Sequence, residues 1–356
     1  MEKVHAILPE RSDNYFDHII KMVASGTPLR EGMDLIINAQ NGAIICIGDT
    51  DAILSIGDGG FKIDTKFSPQ RLFELSKMDG AIVITEDLKR IVCANLHLNP
   101  DPGIFTRETG MRHRSAARTS AQTMSTVIAI SKRRIQTTLY HRGEALTLDS
   151  DQILLSKGNQ GLLALQNLRN TLERASMRLS FLELDDIVTV VDITTLLATY
   201  CRLLTIAAQT ERFINFLGSN SGLLRHQLEE IMSDMVDSFL LVIRDYAENS
   251  DPDQARVIAR ALLELSPDES DPQKIMSLLG HTKLFVSEDH VSPRGFRTIS
   301  RISMLDEVAV SRIIEEYGSL SAIVSDSKDG FNRLENLGVD NIRAIAMSFM
   351  QLRSTL

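Results

Sequence analysis

The sequence predicts a chain in three parts: an α/β domain over residues 1–150, an all-α helical spine over 151–290, and a compact module of short helices over 291–356. Three observations carry this reading. Apolar, β-branched runs bounded by turn residues cluster in the first part. No proline occurs between Pro102 and Pro252, so that interval can hold the longest helices. The net charge of −9 is carried unevenly: the three segments sum to 0, −9 and 0. At 356 residues the chain also exceeds one ordinary core, which fits two or three domains.

In the first part, Gly42-Ala-Ile-Ile-Cys-Ile-Gly48, Ala81-Ile-Val-Ile-Thr85, Ile91-Val-Cys-Ala94 and Val127-Ile-Ala-Ile130 read as buried strands, and Ile135-Gln-Thr-Thr-Leu-Tyr140 alternates as a half-buried one. Helices are predicted over 14–24, 70–77 and 111–124. The middle one is announced by Ser68-Pro69, an N-cap followed by proline at the first helical position. Pattern alone does not order the strands. In the spine, Leu154, Leu155, Leu162, Leu165, Leu168, Leu172 and Leu179 recur at helical steps. Helices are also predicted over 186–217, 221–248 and 252–265, and the acidic surplus reads as a solvated face of the spine or as a partner site. The last part reads as short helices over 306–317, 320–325 and 341–352, punctuated by Gly318, Gly330 and Gly338.

Composition excludes several classes. A charged fraction of 24% with 43% hydrophobic residues is a globular balance, neither disordered nor collagenous. No unbroken apolar run reaches the length of a bilayer crossing, and the N-terminus has no basic region followed by an apolar one, so neither a membrane span nor a signal peptide is expected. Cys46, Cys93 and Cys201 lie far apart without metal or redox spacing, so buried thiols in a reducing cytoplasm are the expectation. Tryptophan is absent, which argues against an aromatic platform for single strands.

The first part concentrates residues suited to phosphate. Asp58-Gly-Gly-Phe61 and Asp79-Gly80-Ala81 let a backbone approach a ligand closely. Thr109-Gly-Met-Arg-His-Arg-Ser115 groups two guanidinium groups, an imidazole and two hydroxyls at the start of a helix. Taken singly, Asp-Gly is a turn, and Arg-His-Arg or Lys132-Arg-Arg134 is a solvated face or loop. No phosphate-binding loop of the Gly-Lys-Ser/Thr type and no dinucleotide glycine fingerprint is present.

Taken together and in order, these residues resemble a known family. Residues 57–85 and 106–132, with Gly26-Thr-Pro-Leu-Arg30 and Pro293-Arg-Gly-Phe-Arg297, are similar to the DNA integrity scanning diadenylate cyclases, the DisA-type family. The resemblance runs the length of the chain. It implies a nucleotide-binding diadenylate cyclase domain, a helical spine and a C-terminal helix-hairpin-helix module. The implied activity is condensation of two ATP molecules into cyclic di-AMP with release of two pyrophosphates. On that reading Asp79, Arg112, His113 and Arg114 are catalytic. Gly80, Ala81, Leu98, Met111, Arg112, His113, Arg114, Ser115 and Ser131 border the nucleotide, and Met111 stands where other members carry a hydroxyl. Mg²⁺ or Mn²⁺ would bridge phosphate oxygens, with Asp79 and His113 as contacts. The family mechanism needs two opposed sites, so a homo-oligomer, an octamer of face-to-face tetramers, is implied.

The same resemblance implies binding of branched DNA such as Holliday junctions by the C-terminal module, through backbone N–H groups at a Gly-hydrophobic-Gly turn. The matching residues are Gly338, Val339, Asn341 and Arg343, with Asp340 where the second glycine is expected. A carboxylate there repels phosphate and crowds the approach. The competing reading of the chain is a DNA-repair scaffold that binds nucleotide without turnover; the intact Asp79 and Arg112-His113-Arg114 disfavour it. Asp340→Gly is expected to tighten binding to a four-way DNA junction in a mobility-shift titration. An unchanged affinity assigns the hairpin to packing instead.

Overall fold

A computed structural model of the chain describes residues 1–8, 14–132, 136–265, 271–302, 305–328 and 347. Helix α1 (Glu2–Ile7) comes first, followed by α2 (Asn14–Val23) and α3 (Pro28–Asn38). Thr27 caps α3 by accepting the Arg30 N–H, with Pro28 at the first helical position. Strand β1 (Ala43–Gly48), helix α4 (Thr50–Ser55), strands β2 (Gly57–Asp58) and β3 (Phe61–Lys66) and helix α5 (Pro69–Leu75) come next. They are followed by β4 (Ala81–Thr85), β5 (Arg90–Leu98), α6 (Met111–Thr123), β6 (Thr126–Ser131), β7 (Gln136–His141) and β8 (Glu144–Leu148).

The eight strands make one sheet ordered β2-β5-β4-β1-β6-β7-β8, with β3 also on β5. Among the described residues only β1 and β4 pair in parallel; the remaining pairings are antiparallel. The central strands are buried on both faces, which is why they read as continuous apolar runs. The sequence signals missed β2, β3 and β8. The strand Phe-Lys-Ile-Asp-Thr-Lys (β3) is exposed at most positions, so it lacks an apolar run to be read.

Two compact units result. The α/β unit holds residues 10–159 with 211–225. In it the buried Arg30 donates to Asp34 at 2.9 Å and to Asp151 at 2.6 Å, while Ser25 also donates to Asp151. This is the local role of Gly26-Thr-Pro-Leu-Arg30: its arginine ties α3 to the residue that opens α7 (Asp151–Leu184). All three cysteines are free, and burial pushes the Cys46 thiol up to about 12.

The helical unit holds the described residues of 1–9, 160–210 and 226–356. Beyond α7 the chain forms α8 (Val190–Phe216), a 3-10 turn (Gly218–Ser221), α9 (Gly222–Met232), α10 (Met235–Tyr246), α11 (Pro252–Glu264), α12 (Pro272–Leu278), α13 (Phe296–Ile299), α14 (Glu307–Tyr317) and α15 (Leu320–Lys328). Helix α8 is long and apolar enough by length and composition to cross a membrane, with mean hydropathy 1.5, although it is no unbroken apolar run. It carries Ile193, Leu196, Leu197, Leu203 and Leu204 buried, and Tyr200 packs on Phe239 at 5.5 Å between ring centroids, as in a core helix.

One correction concerns 221–248, which is two helices rather than one. No glycine or proline marks the break. Arg169 meets it, donating to the carbonyls of Glu230 and Ile231 and pairing with Asp234 at 3.1 Å. The guanidinium satisfies carbonyls that a helix end leaves open.

The segment Pro293-Arg-Gly-Phe-Arg297 is held by a buried carboxylate. Asp245 accepts the N–H groups of Gly295 (2.7 Å), Phe296 (2.5 Å) and Arg297 (3.0 Å). The Arg297 side chain meets Glu183, which also accepts the Tyr246 hydroxyl at 2.7 Å. Burial and then the nearby Glu183 charge push the Asp245 pKa up, while the N–H donors and Arg297 pull it back. Beyond this clamp, Phe296, Ile299, Val310, Ile313, Ile314 and Ile323 form a core with Leu184. Gly338, Val339, Asp340, Asn341 and Arg343 lie outside the described residues.

Asp245→Asn places an amide N–H₂ against a ring of N–H donors. It is expected to cost about 2–4 kcal/mol of stability, read as a shift in the urea midpoint at unchanged slope.

Candidate functional site

Strand register gathers the singled-out residues at one end of the sheet. Because β1 and β4 run in parallel, Ile44 lies opposite Ala81, and their preceding residues, Ala43 and Gly80, start the two strands at the same end. Strand β6 runs the other way. Ala43 therefore faces Ile130, and the next residue, Ser131, ends β6 at that same end. Strand β5 is also antiparallel to β4, with Leu96 opposite Ala81, so Leu98 ends there too, paired with Gly57. With strands spaced about 4.8 Å apart, Asp79–Gly80, Gly42–Ala43 and Ser131 form a row roughly 10 Å long.

Gly80 is required where it stands. Its φ is +132°, and a Cβ would lie 2.7 Å from the Asn95 carbonyl carbon. Asn95 itself has φ 57°, at the irregularity where β5 shifts register against β4. The bulge lets the turn before β4 fold tightly onto β5. Asp79 is exposed in that bend, while Ala81 and Leu98 are buried.

Helix α6 supplies the Arg-His-Arg residues. Its N-cap is Gly110, with no side-chain cap and no acidic residue in the first turn. Arg112 and Arg114 sit instead beside the positive end of the helix dipole, an arrangement unfavourable to an isolated helix. It suits an anion, since the N–H groups of the first turn have no side-chain cap and two guanidinium groups stand in that turn. The approach to α6 is fastened by Arg118 Nε donating to the Ile104 carbonyl and by the Asp101 N–H donating to Gln122.

Arg112 crosses to the strand ends. A Cβ on Gly42 would lie 2.3 Å from Arg112 Nη1, so the glycine makes room for the guanidinium. Among the described residues Arg112 makes no hydrogen bond or ion pair. Arg114 Nη2 contacts the sulfur of Met111 at 3.3 Å, and Met111 is itself 77% exposed. His113 Nδ1 lies 2.9 Å from the Tyr140 hydroxyl, with the rings edge to face. Ser115 is half-buried one residue beyond Arg114. Asp58, at the end of β2, lies opposite His97 and accepts the Gly59 N–H, as in the turn reading. Lys132 follows Ser131, and Arg133 and Arg134 lie outside the described residues.

Three contributors escaped the sequence reading: Gly42, Asn95 and Tyr140. Gly42 appeared only as a strand boundary and Tyr140 only as a strand residue. Their contacts join elements far apart in sequence, and no local pattern announces them.

A helix start with two arginines and no acidic residue, at the same end of the sheet as the Asp79-Gly80 turn, defines an α/β domain suited to a phosphate-bearing ligand. The family model described as "DisA bacterial checkpoint controller nucleotide-binding" matches residues 30–145, and that described as "DisA bacterial checkpoint controller linker region" matches 148–286. The DNA integrity scanning protein DisA of Carboxydothermus hydrogenoformans is 39% identical over 94% of this chain and 96% of its own length. Those of Symbiobacterium thermophilum and Clostridium botulinum (strain Loch Maree) are 37% and 35% identical, over 95% and 97% of this chain and 96% and 97% of theirs. The chain belongs to the DisA family.

Gly42→Ala forces the Arg112 guanidinium to move while leaving the strand backbone allowed. ATP affinity is expected to fall about tenfold, near the worth of one charge-assisted hydrogen bond, with little change in Tm. Equilibrium dialysis and thermal melts measure the two quantities.

Proposed function

We propose that this chain is a diadenylate cyclase that condenses two ATP molecules into cyclic di-AMP and two pyrophosphates. The observation that carries the reading is the convergence of Asp79-Gly80-Ala81 and Arg112-His113-Arg114-Ser115 on one end of the sheet in a member of the DisA family. In each half-reaction the 3′-oxygen of one ATP attacks the α-phosphorus of the other. The new P–O bond forms as the bond to the β-phosphate bridging oxygen breaks, and the electron pair leaves with pyrophosphate. The chemistry rests on positioning and charge neutralisation, with no covalent enzyme intermediate.

The residues take roles that follow from their places. Arg112, Arg114 and the α6 N–H groups hold triphosphate oxygens, with His113, Ser115 and Ser131 beside them. Gly80 brings the backbone close to the nucleotide, and Ala81, Leu98 and Met111 border it. Asp79 takes the 3′-hydroxyl proton or helps hold a cation. Among the described residues, no group of three or more His, Cys, Asp or Glu side chains is placed to hold a metal. Asp79 and His113 would hold a Mg²⁺ or Mn²⁺ that accompanies the triphosphate, as the family likeness implies. Such an ion neutralises phosphate charge when bound.

One site holds one ATP, so two chains must face each other. Phe61, Met78, Phe105 and Met111 are exposed in segments at this end of the sheet, which supports apposition of copies there and, by family likeness, an octamer. Branched DNA at the C-terminal module is proposed to modulate the rate.

The test is incubation of the protein with ATP and Mg²⁺ or Mn²⁺, with products resolved by chromatography. Cyclic di-AMP is expected, and its absence with both metals sinks the reading. Asp79→Asn is expected to lower turnover about a hundredfold or more while sedimentation shows the same oligomer.

A further inference from the structure

Strand β5 changes face in mid-course. Side chains alternate along a strand, so regular pairing would put Cys93 on one face with residues 95 and 97. Cys93 instead shares a core with Leu96 and Leu98, beside Ala81, Val83 and Ala116. The pairing gives the reason. Ala81 and Val83 are two residues apart in β4, whereas their partners Leu96 and Cys93 are three apart in β5. One extra residue is taken up there, and Asn95 has the left-handed φ of 57°. This is a β-bulge, with asparagine at a position where glycine is usual and few other residues enter readily.

Two glycine turns rest on this bulge, one from each neighbouring side of β5. On the β4 side, a Cβ on Gly80 would lie 2.7 Å from the Asn95 carbonyl carbon and 2.8 Å from its Cα. On the β2 and β3 side, a Cβ on Gly60 would lie 3.1 Å from the Ala94 carbonyl oxygen and 3.2 Å from the Leu96 Cα. Gly60 is itself left-handed, with φ +81°. A Cβ on Gly57 would strike the Leu96 side chain at 2.6 Å. The segments Asp58-Gly-Gly-Phe61 and Asp79-Gly80-Ala81 are therefore both fitted to the same few residues of β5. Among the described residues the Asn95 carboxamide makes no hydrogen bond, so the effect lies in its backbone conformation.

We infer that Asn95 is a positioning residue whose left-handed backbone sets the phase of the end of β5, and with it the placement of Leu98 and of both glycine turns. The effect on turnover rests on the cyclase reading; the effect on the turns does not. A β5 paired without the bulge would be out of step by one residue, which turns Leu96 and Leu98 to the opposite face. Asp79 and Leu98, which that reading puts at the nucleotide, would then no longer share a fixed geometry.

The test compares Asn95→Ala with Asn95→Gly in the full chain. Glycine keeps the left-handed conformation without the side chain, and alanine strains it. Hydrogen exchange followed by mass spectrometry is expected to quicken about tenfold in peptides spanning 57–62 and 79–84 of Asn95→Ala. In Asn95→Gly it is expected to stay within twofold of the wild type. Turnover with ATP and Mn²⁺ is expected to fall about tenfold in Asn95→Ala, the size of the left-handed penalty for a residue with a Cβ. KM for ATP is expected to stay within threefold, because the arginines of α6 are untouched. Asn95→Gly is expected to keep at least half of the wild-type rate. Gly60→Ala presses on the bulge from the β3 side and is expected to quicken exchange at 79–84, across β5. That variant keeps the test available if Asn95→Ala folds poorly.

Equal behaviour of Asn95→Gly and Asn95→Ala overturns the inference. So does quickened exchange confined to one of the two turns in Asn95→Ala, or exchange at 79–84 that Gly60→Ala leaves unchanged. A wild type that makes no cyclic dinucleotide fails the cyclase reading alone, because the exchange rates still decide the positioning.

Discussion

The site depends on a single parallel pairing in a sheet whose other pairings are antiparallel. Setting β1 beside β4 in the same direction places the starts of both strands at one end. Antiparallel neighbours then bring the ends of β5 and β6 to that same place. Reversing β4 against β1 would send Asp79 and Gly80 to the far end, away from Ser131 and Gly42. Strand ends are also where the sheet stops supplying backbone partners. Loops and a helix start there can turn their N–H groups toward a ligand.

The second layer of the site works through what it leaves out. Helix α6 starts on a glycine with no side-chain cap and carries arginines where acidic residues would stabilise it. Gly42 lacks the one carbon that would displace Arg112. Gly80 lacks the one that would strike Asn95. Local stability is given up at three neighbouring points, and the buried strands beneath, with Ala81, Val83, Val127, Ala129 and Tyr140 in one core, hold the region in place.

Much of this was legible in the sequence where burial is two-sided. The runs around 43–48, 81–85, 126–131 and 136–141 carry β-branched residues because both faces are covered, and they read as strands directly. Strand β3 did not, because an exposed edge strand has the composition of a loop. The helix break after Met232 did not either, since Arg169, whose guanidinium meets its open carbonyls, lies some sixty residues earlier in the chain. The site followed the same division. Asp79, Arg112, His113 and Arg114 stood out by residue type and order. Gly42, Asn95 and Tyr140 became visible only once register had brought distant strands together.

The buried carboxylate of Asp245 bears on where this chain can be divided. Charge and proline placement suggest a boundary near residue 291. Yet the donors that satisfy Asp245, and the cation that faces Glu183, all lie just past that point, at Gly295, Phe296 and Arg297. A chain ended at 290 would keep two buried acids and a buried tyrosine while losing the groups that answer them. The last segment is thus both an attachment to the spine and the part that completes it, and a truncation intended to isolate the first two parts has to retain residues through the core around Ile299 and Ile313.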